Sequence, residues 1–278
     1  MPVKRDLCRE FGILQVDESG KIIRFVEKPK EEKLLEDLKV PPQLFDDRGI
    51  VSKKREHIAS MGIYVFNTDL LFDALGTNHG SDFGKDIIPS LIGQKTIQAH
   101  FFDGYWEDIG TVGSFWECNL TLTDPVPPFD FFDSENPVYT HALYLPTAKL
   151  NSSRANRVLM ASGCIVDDSD ITRSVLGTRS VVRRGTRFEN VVMMGADHFE
   201  RSEDAAENAR LGRPDVGVGE DCTIRNAIID KNARIGKGCR LAPTGLPEKW
   251  ETEALFVRDG VIVVKKGATV PAGTIVGE

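Results

Sequence analysis

Val218-Gly-Glu-Asp-Cys-Thr-Ile224-Arg-Asn-Ala-Ile-Ile229-Asp-Lys-Asn-Ala-Arg-Ile235-Gly-Lys-Gly-Cys-Arg-Leu241 decides the fold. Aliphatic residues stand six apart from Val218 to Ile224, and again through Ile229, Ile235 and Leu241, with Gly and small residues between. A half-buried strand alternates with period two and a helix repeats near 3.6. A period of six suits neither, but it suits a parallel β-helix whose three-sided coils each use three hexads. The spacing returns at Ile165 and Ile171, at Leu176, Val182 and Phe188, and at Val264, Val270 and Val276. An irregular β-sandwich is the rival, yet so many stretches in register count against it. Residues 196–214 and 243–252 break the period and read as excursions from a coil, the first with room for a short surface helix. Gly217 and Gly219 keep hexad spacing and read as structural glycines.

Upstream the texture is different. Phe11–Val16 and Ile22–Val26 are β-rich runs joined by the turn-rich Asp17-Glu-Ser-Gly-Lys21, a hairpin pattern. Helices are expected over Lys30–Leu38, Thr68–Leu75, Asp86–Ile92 and Thr111–Leu122, and strands over Ile58–Phe66 and Ile97–Phe102. This mixture is α/β in character. Asp124-Pro-Val-Pro-Pro128 ends it, and Pro137 and Pro146 bracket an extended connector. The expected division is an α/β domain over 1–128, a connector over 129–155 and a β-helix over 156–278.

Composition narrows the function classes. Asp and Glu total 42 against 35 Lys and Arg, a net charge of −7, which argues against nucleic-acid or anionic-membrane partners. The longest apolar runs, such as Val261–Val264, are far too short to span a bilayer. The opening MPVKRDLCREFG has no apolar core of a signal peptide, so a cytoplasmic location is expected. Cys8, Cys118, Cys164, Cys222 and Cys239 show no CxxC or Cys/His ligand spacing and read as reduced thiols.

Three clusters in the first half could carry chemistry. Phe25-Val-Glu-Lys-Pro29 sets an acid beside a lysine at a strand end, and Ala59-Ser-Met-Gly-Ile-Tyr-Val-Phe66 opens with small residues. Tyr105-Trp-Glu-Asp-Ile-Gly-Thr111 places two acids before a Gly-Thr helix start. A lysine neutralises a phosphate, carboxylates accept sugar hydroxyls or hold a divalent cation, and small residues such as Ser60 and Gly62 admit a ligand to the backbone. Each has a plainer explanation: a solvated strand end at Glu27-Lys28, the start of a buried strand at Ser60, a helix cap at Asp108 or Thr111.

In this order the clusters resemble the bacterial glucose-1-phosphate adenylyltransferase (ADP-glucose pyrophosphorylase) family. Ala59-Ser-Met-Gly-Ile-Tyr-Val-Phe-Asn-Thr-Asp69 is the most specific piece, with Ser81-Asp-Phe-Gly-Lys85, Val192–Ala196 and Ile229–Gly236 also similar. The resemblance implies an α/β nucleotidyltransferase-like domain, partial and Rossmann-like, followed by a left-handed parallel β-helix of hexapeptide repeats. It implies conversion of ATP and glucose 1-phosphate to ADP-glucose and pyrophosphate for glycogen or starch synthesis. Lys28 would hold the sugar phosphate, with Lys28 and Asp108 as the catalytic pair. Glu27, Ser60, Gly62 and Asp108 would contact the sugar, Asp108 also helping to bind Mg²⁺. Lys231, Arg258 and Lys265 match effector-binding cations, which implies a phosphorylated metabolite effector, and the family forms homotetramers. The connector Tyr139-Thr-His-Ala-Leu-Tyr-Leu-Pro146 departs from the family, with His141 and Leu143 where relatives carry arginines.

The family's glycine-rich phosphate loop, GGxGxRL-like, has no counterpart here, nor do its Trp-Phe-x-Gly-Thr-Ala motif and principal metal aspartate. The expectation is therefore an N-terminally truncated form, inactive alone, whose base selectivity lies in the missing half. Two alternatives stand beside it. A non-catalytic regulatory or scaffold subunit would bind neither sugar phosphate nor ADP-glucose. A hexapeptide acyltransferase needs a histidine between coils, and only His198 lies in the coil region, within an excursion.

Overall fold

The computed structural model describes residues 1–77 and 80–277. Two compact units divide after Gly104.

The first unit is built on a four-stranded sheet. β1 (Pro2–Val3) leads through a 3₁₀ turn (Arg5–Arg9) into β2 (Gly12–Val16) and β3 (Ile22–Glu27). Then come α1 (Glu32–Asp37), α2 (Pro42–Asp46), β4 (His57–Ala59), α3 (Thr68–Thr77), a π-helical turn (Phe83–Ile87) and α4 (Ile88–Leu91). The strand order is β1-β4-β2-β3, antiparallel throughout. The β2–β3 hairpin forms as expected, because Asp17 Oδ1 accepts the N–H groups of Ser19 and Lys21 while Gly20 turns at φ +87°. Side chains alternate across the sheet, so it is buried on both faces. Ile13, Ala59 and Val3 pack with Leu35 and Leu38 of the α1 side, whereas Leu14, Val16, Phe25 and Ile58 pack with Leu44, Phe45 and Ile88.

Of the expected strands, one is cut short and one is not formed. The run Ile58–Phe66 is a strand only to Ala59; beyond it Ile63 is 73% and Val65 99% exposed. The reason is pairing: β2 begins at Gly12 and β1 at Pro2, so neither neighbour offers a ladder past Ser60. Residues 97–102 contribute a single bridge, Lys21↔Gln98, instead of a strand. The helix expected over Asp86–Ile92 is split into the π-helical turn and α4, where Pro89 removes a donor.

The second unit runs from Tyr105 to the coils. α5 (Val112–Thr121) starts with a reciprocal cap, Ser114 N–H to Thr111 Oγ1 and Thr111 N–H to Ser114 Oγ, both 3.1 Å. Paired strands then wind as β5 (Lys149–Asn151) and β6 (Arg154–Met160), β7 (Ile165–Asp167) and β8 (Asp170–Leu176), β9 (Val181–Val182) and β10 (Arg187–Met193). After α6 (Ser202–Arg210) follow β11 (Gly217–Val218), β12 (Thr223–Ile229), β13 (Arg234–Ile235) and β14 (Arg240–Leu241). A hairpin of β15 (Leu255–Arg258) and β16 (Val261–Val264) precedes β17 (Thr269–Val270) and β18 (Ile275–Val276). Apart from that hairpin and the single antiparallel bridge Glu251↔Phe256, every pairing among the described residues of this unit is parallel and joins neighbouring coils in register, as in Val166↔Val182↔Val218↔Ile235↔Val270.

The axial core is the hexad set: Ile171, Leu176, Val182, Phe188, Val218, Ile224, Ile229, Ile235, Leu241, Val264 and Val270 are buried together. Val276 packs against this core only partly buried, and Ile165 lies outside it. Ile165 is 40% exposed, and Val166 takes the inward place above Val182. β6, β8, β10 and β12 bend at a left-handed residue, Arg157, Arg173, Asn190 and Asn226 respectively, which turns each strand around a corner.

At another corner a column of short polar side chains closes the coil turns. Ser169 donates to Arg183 O, Thr186 to Gly219 O, Cys222 to Gly236 O and Cys239 to Pro271 O, at 2.9–3.2 Å. Each is buried and donates to a carbonyl of the next coil; Pro271 O also accepts from Thr274, whereas the other three carbonyls have this side chain as their partner among the described residues. All five cysteines are free thiols, and at this corner two of them do the work of hydroxyls. Gly217 and Gly219 are structural: a Cβ would lie 2.5 Å from Val181 O at the first and 2.7 Å from Lys237 N at the second.

The excursion between β10 and β11 contains the surface helix α6. It is clamped by Asn208, which is buried and donates to Glu200 and Asp215, while Arg234 pairs with Glu200 at 2.7 Å. α5 lies on the coils, with Leu120, Phe115 and Trp116 against Val192, Ile228, Val261 and Val263. Among the described residues no helix is long and apolar enough to cross a membrane.

Candidate functional site

In the first unit the site is assembled at one end of the sheet. Gly12 begins β2, and its neighbours there are the last residues of β3 and β4. Lys28 N–H donates to Phe11 O at 3.0 Å and Ser60 N–H donates to Gly12 O at 2.8 Å. Glu27 pairs with Gly12 in register. Glu27, Lys28 and Ser60, far apart in sequence, therefore flank the same two residues.

Lys28 has a φ of +45°, a conformation that costs a non-glycine residue about 1–2 kcal/mol. Its ammonium makes no ion pair among the described residues and is exposed. The backbone of Lys28 is thus held by the fold through its bond to Phe11 O, while its side chain is left for other work. The Glu27 carboxylate is likewise without a hydrogen bond or ion pair among the described residues, although half-buried.

Ser60 Oγ lies 3.3 Å from Tyr64 Oη and accepts Gly62 N–H at 3.3 Å. Gly62 has φ +69° and open space where a Cβ would be, so its backbone turn leaves room beside Ser60. Tyr64 stacks on Phe83, centroids 6.0 Å apart and rings inclined by 20°. Next to Phe83, Asp82 caps the π-helical turn by accepting Lys85 N–H at 2.9 Å. That bond, with the charges of Lys85 and Lys28, holds its carboxyl below the usual range. A hollow of about 530 Å³ at the start of α3, lined by Asn67, Asp69, Asp73 and Lys95 among others, shares no residue with this cluster.

In the second unit Asp108 is exposed on the segment before α5, its carboxylate lying over Gly110. The cap of α5 is Thr111, so Asp108 is released from that duty. The three candidate effector cations are all occupied by carboxylates. Arg258 and Lys265 share Glu251, each at 3.0 Å, and Lys265 also donates to Thr252 O. Lys231 pairs instead with Asp197 at 2.9 Å. Hydrogen bonds from Asn232 and Lys231 pull the Asp197 carboxyl down to about 2. The fold brings Arg258 and Lys265 to one carboxylate and gives Lys231 another.

Comparison with known families agrees with this architecture. Residues 1–125 match the nucleotidyl transferase family, and residues 143–275 match the GLGC left-handed parallel beta-helix domain. The chain joins a nucleotidyl transferase domain to a left-handed β-helix domain. The hexad reading and the α/β reading both hold, and the coil hand follows from the second match.

The nucleotidyl transferase match extends past Gly104 to take in α5, although α5 packs on the β-helix domain. Within the nucleotidyl transferase domain the strand-end cluster includes residues to which sequence reasoning assigned no role: Gly12, Tyr64, Asp82 and Gly84. Ser81–Lys85 stood out as a motif, but nothing in its spacing shows that it folds against Glu27. In the β-helix domain Asp259, at the hairpin turn Asp259-Gly260, is a further residue with a contact beyond its own element.

Proposed function

We propose that the chain binds glucose 1-phosphate as part of a glucose-1-phosphate adenylyltransferase, the reaction that yields ADP-glucose and pyrophosphate from ATP. The pairing of these two domain types is typical of ADP-glucose pyrophosphorylase-like proteins, which supports the choice of sugar and nucleotide. The observation that carries the reading is the juxtaposition of Lys28 and Glu27, whose side chains have no ion pair among the described residues, beside Ser60 at one sheet end.

The chemistry follows from the side chains. Lys28 neutralises the sugar phosphate, Glu27 and Ser60 hydrogen-bond sugar hydroxyls, and the turn at Gly62 admits the ring. Tyr64 orients the Ser60 hydroxyl. In the transfer itself the sugar phosphate attacks the α-phosphorus of ATP in line and pyrophosphate leaves, so positioning and charge neutralisation dominate.

Asp108 offers one exposed carboxylate to Mg²⁺. Among the described residues no group of three or more His, Cys, Asp or Glu could hold a metal ion. Mg²⁺ is commonly held by one or two carboxylates plus substrate phosphates, so a single carboxylate suits a metal that arrives with the nucleotide. Lys231, Arg258 and Lys265 are proposed to receive an anionic metabolite, in competition with Asp197 and Glu251.

Isothermal calorimetry of the whole chain with glucose 1-phosphate tests the reading. Binding abolished by Lys28→Ala supports it. No heat with glucose 1-phosphate or ADP-glucose favours a non-catalytic scaffold, a reading supported by the absence of a glycine-rich phosphate loop from these 278 residues. Pyrophosphate release by the isolated chain, within about tenfold of a complete adenylyltransferase, would overturn the proposal that turnover needs that loop.

A further inference from the structure

Two glycines bracket the Glu27 carboxylate. A Cβ on Gly12 would lie 2.8 Å from Glu27 Oε2, and a Cβ on Gly84 would lie 3.0 Å from the same oxygen. Neither glycine has a left-handed φ, so neither is required by its backbone conformation. Gly12 also clears the Phe25 ring, whose Cζ would stand 2.6 Å from its Cβ, and is partly a packing glycine. Gly84 has no such second duty. Its next neighbour, Asp82 Oδ1, would be 3.4 Å away, an ordinary contact.

We propose that Gly84 is a positioning residue for sugar recognition: by lacking a side chain it lets the Glu27 carboxylate lie between β2 and the Phe83–Ile87 turn. This rests on the sugar-phosphate reading of the site. Among the described residues no donor meets either oxygen of this carboxylate, which suits it to accept from ring hydroxyls. The space left by the absent Cβ at Gly84 permits this placement, with Lys28 left for phosphate and Glu27 for hydroxyls.

The substitution Gly84→Ala separates this role from stability. A Cβ there meets only the far end of a flexible side chain, so the fold accommodates it by moving the carboxylate a few tenths of an ångström or more. Alanine is also the better residue in a helical turn, so the melting temperature is expected to stay level or rise. Affinity for glucose 1-phosphate is expected to fall about tenfold, the loss of one hydrogen bond to a charged group. If Gly84 acts through Glu27, the loss is not additive: Gly84→Ala in a Glu27→Gln background weakens binding no further. A tenfold loss that persists in that background, or no loss in the parent, overturns the proposal.

The ¹³C shift of the Glu27 carboxyl, assigned with Glu27→Gln, reads the placement without ligand. It is expected to change in Gly84→Ala, and an unchanged shift overturns the positioning role. Failure of the underlying reading looks different. The parent chain then binds no glucose 1-phosphate, whatever the carboxyl shift does.

Discussion

Asp259 Oδ2 accepts the N–H of Gly113 at 3.0 Å, although 146 positions separate them in sequence. Asp259 sits at the tip of the β15–β16 hairpin at φ +53°, and Gly113 lies in the first turn of α5. The carboxylate supplies one of the N–H partners a helix start lacks, and its charge complements the helix dipole. A Cβ on Gly113 would approach Asp259 Cβ to 2.9 Å, so this glycine permits the contact. The hairpin that carries Arg258 is thereby joined to the helix that follows Asp108.

Asp259→Ala is accordingly expected to destabilise the β-helix domain by about 1 kcal/mol, the usual worth of a helix-capping side chain. Asp259→Asn keeps the acceptor and is expected to lose about half of that. Urea denaturation followed by Trp116 fluorescence measures both, because Trp116 anchors α5 through its Nε1 bond to Asn190 O.

Lys28 should show opposite effects on stability and binding. Lys28→Gly relieves the positive φ but adds freedom to the unfolded chain, so stability is expected to rise by about 0–1 kcal/mol. Sugar-phosphate affinity is expected to drop at least tenfold, since a charged hydrogen bond is lost. Paired melting and calorimetry decide the point, and a destabilised Lys28→Gly would mean that the lysine serves the fold.

The buried corner column yields a comparison of side chains. Thr186→Val removes the donor to Gly219 O while keeping shape, and is expected to cost about 1–3 kcal/mol because a buried carbonyl is left unmet. Thr186→Ser keeps the donor and should cost less. Cys222→Ser likewise keeps a donor to Gly236 O, whereas Cys222→Ala does not. Denaturant midpoints of the four variants test the ordering.

Acid should act on the Asp197 pair. The Asp197 carboxyl, normally near 3.8, is lowered to about 2 in the folded chain. A depressed folded value means stability that is present above about 3.8 and lost as pH falls towards about 2. Comparing the native chain with Asp197→Asn, the stability difference is expected to shrink over that window and stay flat above pH 5. Lys231→Met should flatten the same limb.

Glu251 gives a test of the proposed anion site. Glu251→Gln removes the charge shared by Arg258 and Lys265. Inorganic phosphate, as a probe of the shared anion chemistry, is expected to bind more tightly to this variant, and weaker binding would exclude these cations as its receptor.

The β-helix was legible because its physics is local and repeated. Each hexad buries one residue against the same place in the next coil, so Val182, Val218 and Ile235 announce their stacking in sequence. Ile165 misled because Val166 beside it is also aliphatic, and only register with Val182 separates them. In the first unit the strand propensity of Ile63-Tyr-Val-Phe66 was real, but a strand needs a partner and none continues past Ser60. Glu27, Lys28 and Ser60 could be chosen by motif and then found at one sheet end. Gly84 and Asp82 could not, because their value lies in how the Phe83–Ile87 turn folds back on β3, which no local spacing encodes.

The excursion carrying α6 leaves the winding undisturbed. Phe188 stacks on Ile224 and Val182 on Val218 as though the intervening chain were not there. Its clamp, Asn208 with Glu200 and Asp215, is a latch of side chains on the outside of a spool. Sequence spliced at the exposed Leu211-Gly212, past the end of the helix, would thus be carried by the spool without changing its gauge, making this the natural port for a tag, a reporter or a grafted binding loop.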